Sequence, residues 1–398
     1  MTWRSQNGNG QAEVIAQKDT SLDKAEANSL RLLMVTPRYL PFMGGVENHV
    51  YEVAQRLARN GVNMTVLTTD PSGQLLCDEL SEGIRIRRVR AWPAHRDYYF
   101  APDIFRIIQE GDWDIVHIQS YHTLVAPLAM LAARRARVPY VVTFHGGGHS
   151  SRLRNALRGT QWFLLRPLLA NAERLIAVAE FETEFWSEKL GLPADRFVFI
   201  PNGADLPPLK RSGRRITTGR TVIASIGRLE RYKGHQRIIA ALPYILAQCP
   251  DVQLWIAGVG PYESTLSDLA KELNVSDHVE IRAVPMSERD RMAEEVSQAA
   301  LVVLLSEYET HPIAVLEAIA LGRPALVAAT SGLNEIAGRG LAQAIPLDST
   351  PRQVAEAVLD QLRQPHVPPP FKLPTWDDCA ADLFALYQQV VQESVCVS

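Results

Sequence analysis

From Leu32 onward, short runs of aliphatic and β-branched residues alternate with longer stretches in which apolar positions recur every three or four residues. Unbroken apolar runs read as strands covered on both faces, and the three-to-four period reads as crossover helices between them. In the first half, strands are predicted at Leu32–Thr36, Asn63–Thr68, Ile84–Val89, Ile115–Ile118, Tyr140–Phe144, Leu175–Val178 and Phe197–Ile200, with helices over Val46–Arg59 and Thr123–Arg135. Pro201, Asn202, Gly203, Pro207 and Pro208, set among basic residues, then interrupt all periodicity as far as Gly219. A second series follows, with strands at Thr221–Ser225, Leu254–Ala257, Val279–Arg282, Leu301–Leu305 and Ala325–Ala328. Its helices are predicted at Gly234–Ala247, Tyr262–Leu273, Ser287–Ala299 and Ile313–Ala320. The fold class is α/β, with two doubly wound sheets. The first domain is expected at residues 30–205 and the second at 206–375, after a flexible tail at 1–29. Within 376–398 a last helix, beginning at Trp376, is expected to pack back toward the first domain.

Composition narrows the function. With 398 residues, 46% of them hydrophobic, the chain exceeds what one core holds comfortably, in keeping with two domains. Lys and Arg total 41 against 44 Asp and Glu, so the basic excess of a nucleic-acid binder is missing. Cys77, Cys249, Cys379 and Cys396 form no C-x-x-C pair, which argues against a disulfide framework or zinc knuckle and for reduced thiols in a cytosolic protein. The first 29 residues lack the apolar block of a secretory signal, and the longest apolar stretch, Leu124–Ala133, is half of the ~20 residues a spanning helix needs. A soluble, cytoplasmic protein is expected. Peripheral contact with the inner face of the plasma membrane stays open, because Ser150–Leu169 interleaves Arg152, Arg154, Arg158 and Arg166 with Leu153, Leu157, Trp162, Phe163 and Leu164. That pattern suits anionic lipid and packing against the first domain alike.

Ligands of open parallel sheets bind beyond the carboxyl ends of the strands, so chemistry is sought there. After the first strand, Gly44 and Gly45 precede a helix carrying Glu47 and His49, an outline of a phosphate cradle that is equally a conformational turn. After the first strand of the second domain come Gly227-Arg228, Glu230 and Lys233-Gly234. Arg228 and Lys233 there offer two cations to a diphosphate, or a surface ion pair with Glu230. The strongest constellation runs from Glu309 through Thr310, His311, Pro312 and Ile313 to Glu317. Glu309 falls in a strand-to-helix loop, and Pro312 at the helix start puts Glu317 inside the helix, in surroundings apolar enough to require a partner. His145 ends an apolar strand and is followed by three glycines, a position that favours function over a core role. Two motifs are set aside. Asp112-Trp113-Asp114 precedes a strand, at the wrong end for a catalytic metal, and Gly258-Val259-Gly260 has Glu263 where a dinucleotide fingerprint needs its third glycine.

The spacing from Glu309 to Glu317 resembles the E-x7-E motif of retaining glycosyltransferases with the GT-B fold, and its setting resembles glycosyltransferase family 4. The Gly44-Gly45 loop, His145-Gly146, Pro201-Asn202-Gly203, Gly227-Arg228, Lys233-Gly234, Gly258 to Pro261, Gly322, Pro324 and Trp376 fit the same family in order, over roughly residues 31 to 390. The resemblance implies two Rossmann-like domains facing a central cleft and a metal-independent hexosyl transfer with retention. It implies a nucleotide-sugar co-substrate, such as a UDP-, GDP- or dTDP-sugar, and no other cofactor. Arg228 and Lys233 would bind its diphosphate with help from Gly44 and Gly45, Glu317 its ribose, and Glu309 the transferred sugar. Thr310, His311, Pro312 and Ile313 would complete the donor site, Ala283 and Val284 would lie at the base, and His145 would stand near the anomeric carbon. The family often has Gly-Phe-Gly where this chain has Thr310-His311-Pro312, while Ala179 replaces a frequent serine and Leu333 a glycine, departures that bear on the donor sugar. The resemblance implies an acceptor hydroxyl without identifying its bearer, with a glycan, a lipid-linked sugar and a small metabolite all open. The same architecture also serves sugar-nucleotide 2-epimerases and catalytically silent nucleotide-sugar-binding modules.

Overall fold

The computed structural model describes residues 29–42, 44–93, 99–146, 152–204, 206, 220–285 and 288–397. The expected tail over 1–28, the junction from 207 to 219, Gly147 and Gly148, and the side chains of Arg152, Leu153, Arg154, Leu157 and Arg158 lie outside the described residues.

Each apolar run named above forms a strand, with ends displaced by one or two residues at most. The first domain contains β1 (Arg31–Val35), α1 (Gly45–Arg59), β2 (Asn63–Asp70), β3 (Asp78–Ser81), β4 (Ile84–Arg90), α2 (Asp103–Glu110), β5 (Ile115–Gln119), α3 (Val125–Ala136), β6 (Tyr140–Phe144), α4 (Arg152–Leu169), β7 (Arg174–Ala177), α5 (Glu180–Leu190) and β8 (Phe197–Phe199). Its sheet runs β3-β4-β2-β1-β5-β6-β7-β8, parallel except for the β3–β4 hairpin. Alternation along β1 divides the core: Leu33 and Val35 face the side covered by α2 to α5, and Leu32 and Met34 face α1.

The second domain contains β9 (Thr221–Ile226), α6 (His235–Leu246), β10 (Val252–Ala257), α7 (Glu263–Glu272), β11 (Val279–Ile281), α8 (Arg289–Gln298), β12 (Leu301–Leu304), α9 (Ile313–Ala320), β13 (Ala325–Ala328), α10 (Ser331–Gly338), β14 (Gln343–Ile345) and α11 (Pro351–Arg363). All neighbours in β11-β10-β9-β12-β13-β14 are parallel. The terminal helix α12 (Trp376–Val397) returns to the first domain, where Trp376, Leu383, Leu386, Tyr387 and Val390 join Leu32 and Met34 in one buried cluster. Arg56 to Asp377 at 2.6 Å and Arg174 to Glu393 at 3.1 Å tie its flanks to that domain.

The apolar pattern did not single out β3, β14, α2, α5, α10 or α11. β3 is a polar edge strand and β14 has three residues, too few for a period. α11 carried a legible signal: Thr350 accepts from the Gln353 backbone, Gln353 returns the bond, and Pro351 takes the first helical position.

Strand order reverses between β1 and β5 and again between β9 and β12. At such points the crossovers leave on opposite faces and a crevice opens beyond the strand ends. The two crevices face one another.

Candidate active site

The cleft between them has a volume of about 1010 Å³ and takes its walls from both domains. In the second domain, β9 ends in Gly227-Arg228, the chain turns over Arg231–Lys233, and Gly234 starts α6 at φ +78°. A Cβ on Gly234 would collide with the Leu305 carbonyl, so this turn is pressed onto the end of β12 and glycine closes it without strain. Beneath the turn lies His235, whose Nδ1 is 2.8 Å from Ser225 Oγ and whose Nε2 is 3.3 Å from the Arg228 carbonyl. Burial lowers its pKa to about 4, which makes it a neutral strut. Lys233 Nζ donates to Glu309 Oε1 at 2.6 Å, and Ser306 Oγ donates to the same oxygen at 2.8 Å. The Glu309 backbone N–H donates to Ser331 Oγ at 2.8 Å, while Arg228 Nη2 donates to Tyr232 Oη at 2.9 Å. Both cations therefore stand fixed at one strand-to-helix turn, beside a fixed carboxylate.

The opposite wall carries one ion pair beside a group of buried histidines. Gly44 caps α1, and Arg38 pairs with Glu47 at 3.1 Å in its first turn. At the end of β6, His145 Nε2 donates to Gln119 Oε1 at 2.6 Å, which makes Nδ1 the accepting nitrogen. Behind it, Gln119 Nε2 lies 3.2 Å from His117 Nε2, and His117 bonds Thr143 Oγ1 at 2.7 Å and Tyr387 Oη at 2.6 Å. The His49 ring meets that of His145 edge-on at 4.8 Å and places Nδ1 2.8 Å from Asn202 Oδ1. Burial holds His49 down at about 4, and burial with the neighbouring rings keeps His145 well below the usual histidine range. Toward the mouth, Leu124, Pro127, Leu164 and Leu168 give this wall an aliphatic lining.

Gly44, Gly45, His145, Arg228, Lys233, Glu309, Thr310, His311 and Ile313 all border this one cleft. Pro312 caps α9 just behind them. Ala283 and Val284 follow the edge strand β11 and stand outside its lining, with Val284 packed against the core around Trp255. Glu317 also lies off the cleft. It is buried on α9, ion-paired with Arg289 of α8, and borders a separate small hollow with Met292, Val296 and Leu321. The apolar surroundings of Glu317 do come with a partner, contributed by a different helix. Asp112 and Asp114 are both engaged by Arg31 at the amino end of β5, and no group of three His, Cys, Asp or Glu side chains suited to a metal occurs among the described residues. Gly258 to Pro261 brace the turn after β9: Leu229 N–H donates to Val259 O, and Tyr262 N–H to Leu229 O, both at 3.0 Å. The pattern of the sequence had not brought out Gln119, His117 or Tyr308, whose only linear signal was a place near a strand's carboxyl end.

The profile of Glycosyltransferase Family 4 matches residues 43–207, and that of Glycosyl transferases group 1 matches residues 208–370. Over 304 residues the chain is 30% identical to the GDP-mannose:cellobiosyl-diphosphopolyprenol alpha-mannosyltransferase of Xanthomonas oryzae, covering 74% of this chain and 77% of that protein. The chain belongs to glycosyltransferase family 4. The glycosyltransferase is also 29% identical over 344 residues to a glycogen synthase of Mycobacterium tuberculosis, covering 77% and 80% of the two chains. In fold it is similar to a sucrose-phosphate synthase of Thermosynechococcus elongatus, with a TM-score of 0.74, 20% identity and coverage of 92% and 100%. The architecture of this glycosyltransferase is GT-B, two Rossmann-like domains across a cleft. No helix among its described residues is long and apolar enough to cross a membrane.

Proposed function

We propose that this glycosyltransferase moves a hexose from a nucleotide-diphosphate sugar to an acceptor hydroxyl, retains the anomeric configuration and uses no metal. The observation that carries the reading is the meeting of Arg228, Lys233 and Glu309 at the switch point of the second domain, opposite the amino end of α1. In a transfer of this kind, negative charge grows on the departing diphosphate. Two fixed cations and the N–H groups at Gly44-Gly45 answer it without reorganisation. Glu309, oriented by Lys233 and Ser306, holds hydroxyls of the transferred sugar. His145 remains neutral and presents an acceptor atom beside the anomeric carbon, and the ribose role proposed for Glu317 requires its pair with Arg289 to open. The aliphatic wall of Leu124, Pro127, Leu164 and Leu168 favours an acceptor with an apolar portion beside its hydroxyl.

A panel of nucleotide sugars, each tested with and without acceptors, provides the test. Transfer that needs an acceptor, survives chelation and gives a retained anomer by NMR is expected. An altered sugar nucleotide formed without acceptor would indicate an epimerase, binding without turnover a silent module, and rescue of a chelated enzyme by Mg²⁺ a metal-dependent transferase.

A further inference from the structure

Beside the cleft the two domains touch along a seam that no part of this mechanism uses. Its centre is Glu182, in the first turn of α5 and fully buried. One carboxyl oxygen, Oε2, accepts from the Val178 backbone N–H at 3.3 Å, whereas Oε1 has no hydrogen-bond partner. Thr310 Oγ1, from the loop of the second domain that carries Glu309, is likewise buried without a partner. Both oxygens border the space a side chain on Gly146 would fill: a Cβ there would stand 2.5 Å from Glu182 Oε1, 2.6 Å from Thr310 Oγ1 and 2.8 Å from Tyr308 Oη. Glycine at 146 is thus enforced by oxygens converging from both domains. Two further contacts cross the same seam. The Phe181 N–H donates to Glu335 Oε2 on α10 at 3.1 Å, and His311 faces the backbone carbonyls of Val178 and Asn202.

A buried carboxyl with no cation against it is most cheaply kept neutral, and a neutral acid is a donor as well as an acceptor. We propose that Glu182 is a positioning residue for glycosyl transfer: as a neutral acid its Oε1 hydroxyl bridges to Thr310 and Tyr308, holding the Glu309 loop and the His145-Gly146 turn in one register. The proposal rests on the reading that this loop grips the donor sugar. Burial pushes the Glu182 carboxyl up to about 8, with the Val178 N–H bond acting the other way. The other groups facing it are accounted for: His145 and His311 are held neutral by burial, Glu309 is paired with Lys233, and Glu335 sits on the Phe181 N–H. Ionisation puts a desolvated charge with no cation to offset it between the two segments, and that cost works against holding them in register.

The test compares the intact enzyme with Glu182→Gln, which stays neutral and keeps a donor, and Glu182→Ala, which does not. With donor and acceptor saturating, wild-type kcat should fall about tenfold per pH unit above pH 8, and Glu182→Gln should remove that limb while keeping the neutral-pH rate. Glu182→Ala should lose roughly tenfold at every pH, with donor KM little changed, and Gly146→Ala should reproduce that loss by pushing the oxygens apart. Independently of activity, Trp186 lies against the carboxyl, so the difference in tryptophan fluorescence between wild type and Glu182→Gln should titrate near pH 8. A titration in fluorescence without a change in kcat would leave the protonated carboxyl standing but overturn its role in positioning the donor loop. No fluorescence difference between pH 6 and 10, or an alkaline limb that persists in Glu182→Gln, would overturn the proposal outright.

Discussion

The two walls of the cleft treat charge in opposite ways. On the second-domain wall Lys233 and Glu309 form an ion pair and Arg228 stands beside them, each fixed by a hydrogen bond to a neighbour. On the first-domain wall the titratable rings of His49 and His145 are buried, with His117 behind them, and burial drives all three toward the neutral form. The difference follows from position. Charged side chains at the strand-to-helix turn after β9 can still reach water, whereas the histidines are sunk among sheet residues and backed by Tyr387 of α12. On the proposed reading, the first wall meets a leaving diphosphate and the buried histidines of the other meet uncharged hydroxyls.

The largest effect expected from breaking this contrast is on the charged wall. Lys233→Ala and Arg228→Ala should each lower kcat about a hundredfold or more, the ~2.7–4 kcal/mol typical of one removed electrostatic donor, with the melting temperature little changed. A near-normal rate in either variant would mean that the diphosphate is held elsewhere.

A smaller effect separates the two glutamates. Glu309→Gln should cut turnover and blur discrimination among donor sugars while free nucleoside diphosphate still binds. Glu317→Gln should weaken nucleoside diphosphate itself, by about 1.5–3 kcal/mol in calorimetry if a hydrogen bond to a charged group is lost. Equal behaviour of the two variants would erase the distinction between sugar and ribose roles.

The smallest effect concerns the histidine wall. Because burial lowers the His49 pKa to about 4 and holds His145 well below its ordinary range, the rate should show no step near pH 6.5. A step there that disappears in His145→Gln would show a charged ring on the wrong wall. Stability has a definite sign. A histidine pKa lowered by folding means that the unfolded chain binds more protons below about pH 6.5, so stability is lost as pH falls from there toward 4. Melting temperatures followed across that range in wild type and His49→Gln check this, and the variant should fall less steeply.

Much of the site was legible because it is local. Gly44-Gly45, Gly227-Arg228, Lys233-Gly234 and Glu309 each follow an apolar strand, and the sheet delivers every such segment to the same edge. Glu182 was illegible for the opposite reason. A glutamate in the first turn of a helix reads as a solvated charge, yet here α5 docks against the loop after β12 and that residue is enclosed.

The sequence by itself determined the two parallel sheets, the order of their strands along the chain and the residue types at their carboxyl ends. These follow from hydrophobic period and from glycine, proline and charge at fixed offsets within a few residues. Tertiary structure alone decided that Lys233 meets Glu309, that Arg289 covers Glu317, that Tyr387 of the last helix hydrogen-bonds His117, and that Glu182 is sealed between domains. Those pairs are separated by tens to hundreds of residues. Their partners, burial and protonation depend on how helices and loops pack across sheets and across the cleft, where the local dielectric is set by neighbours that no local pattern names.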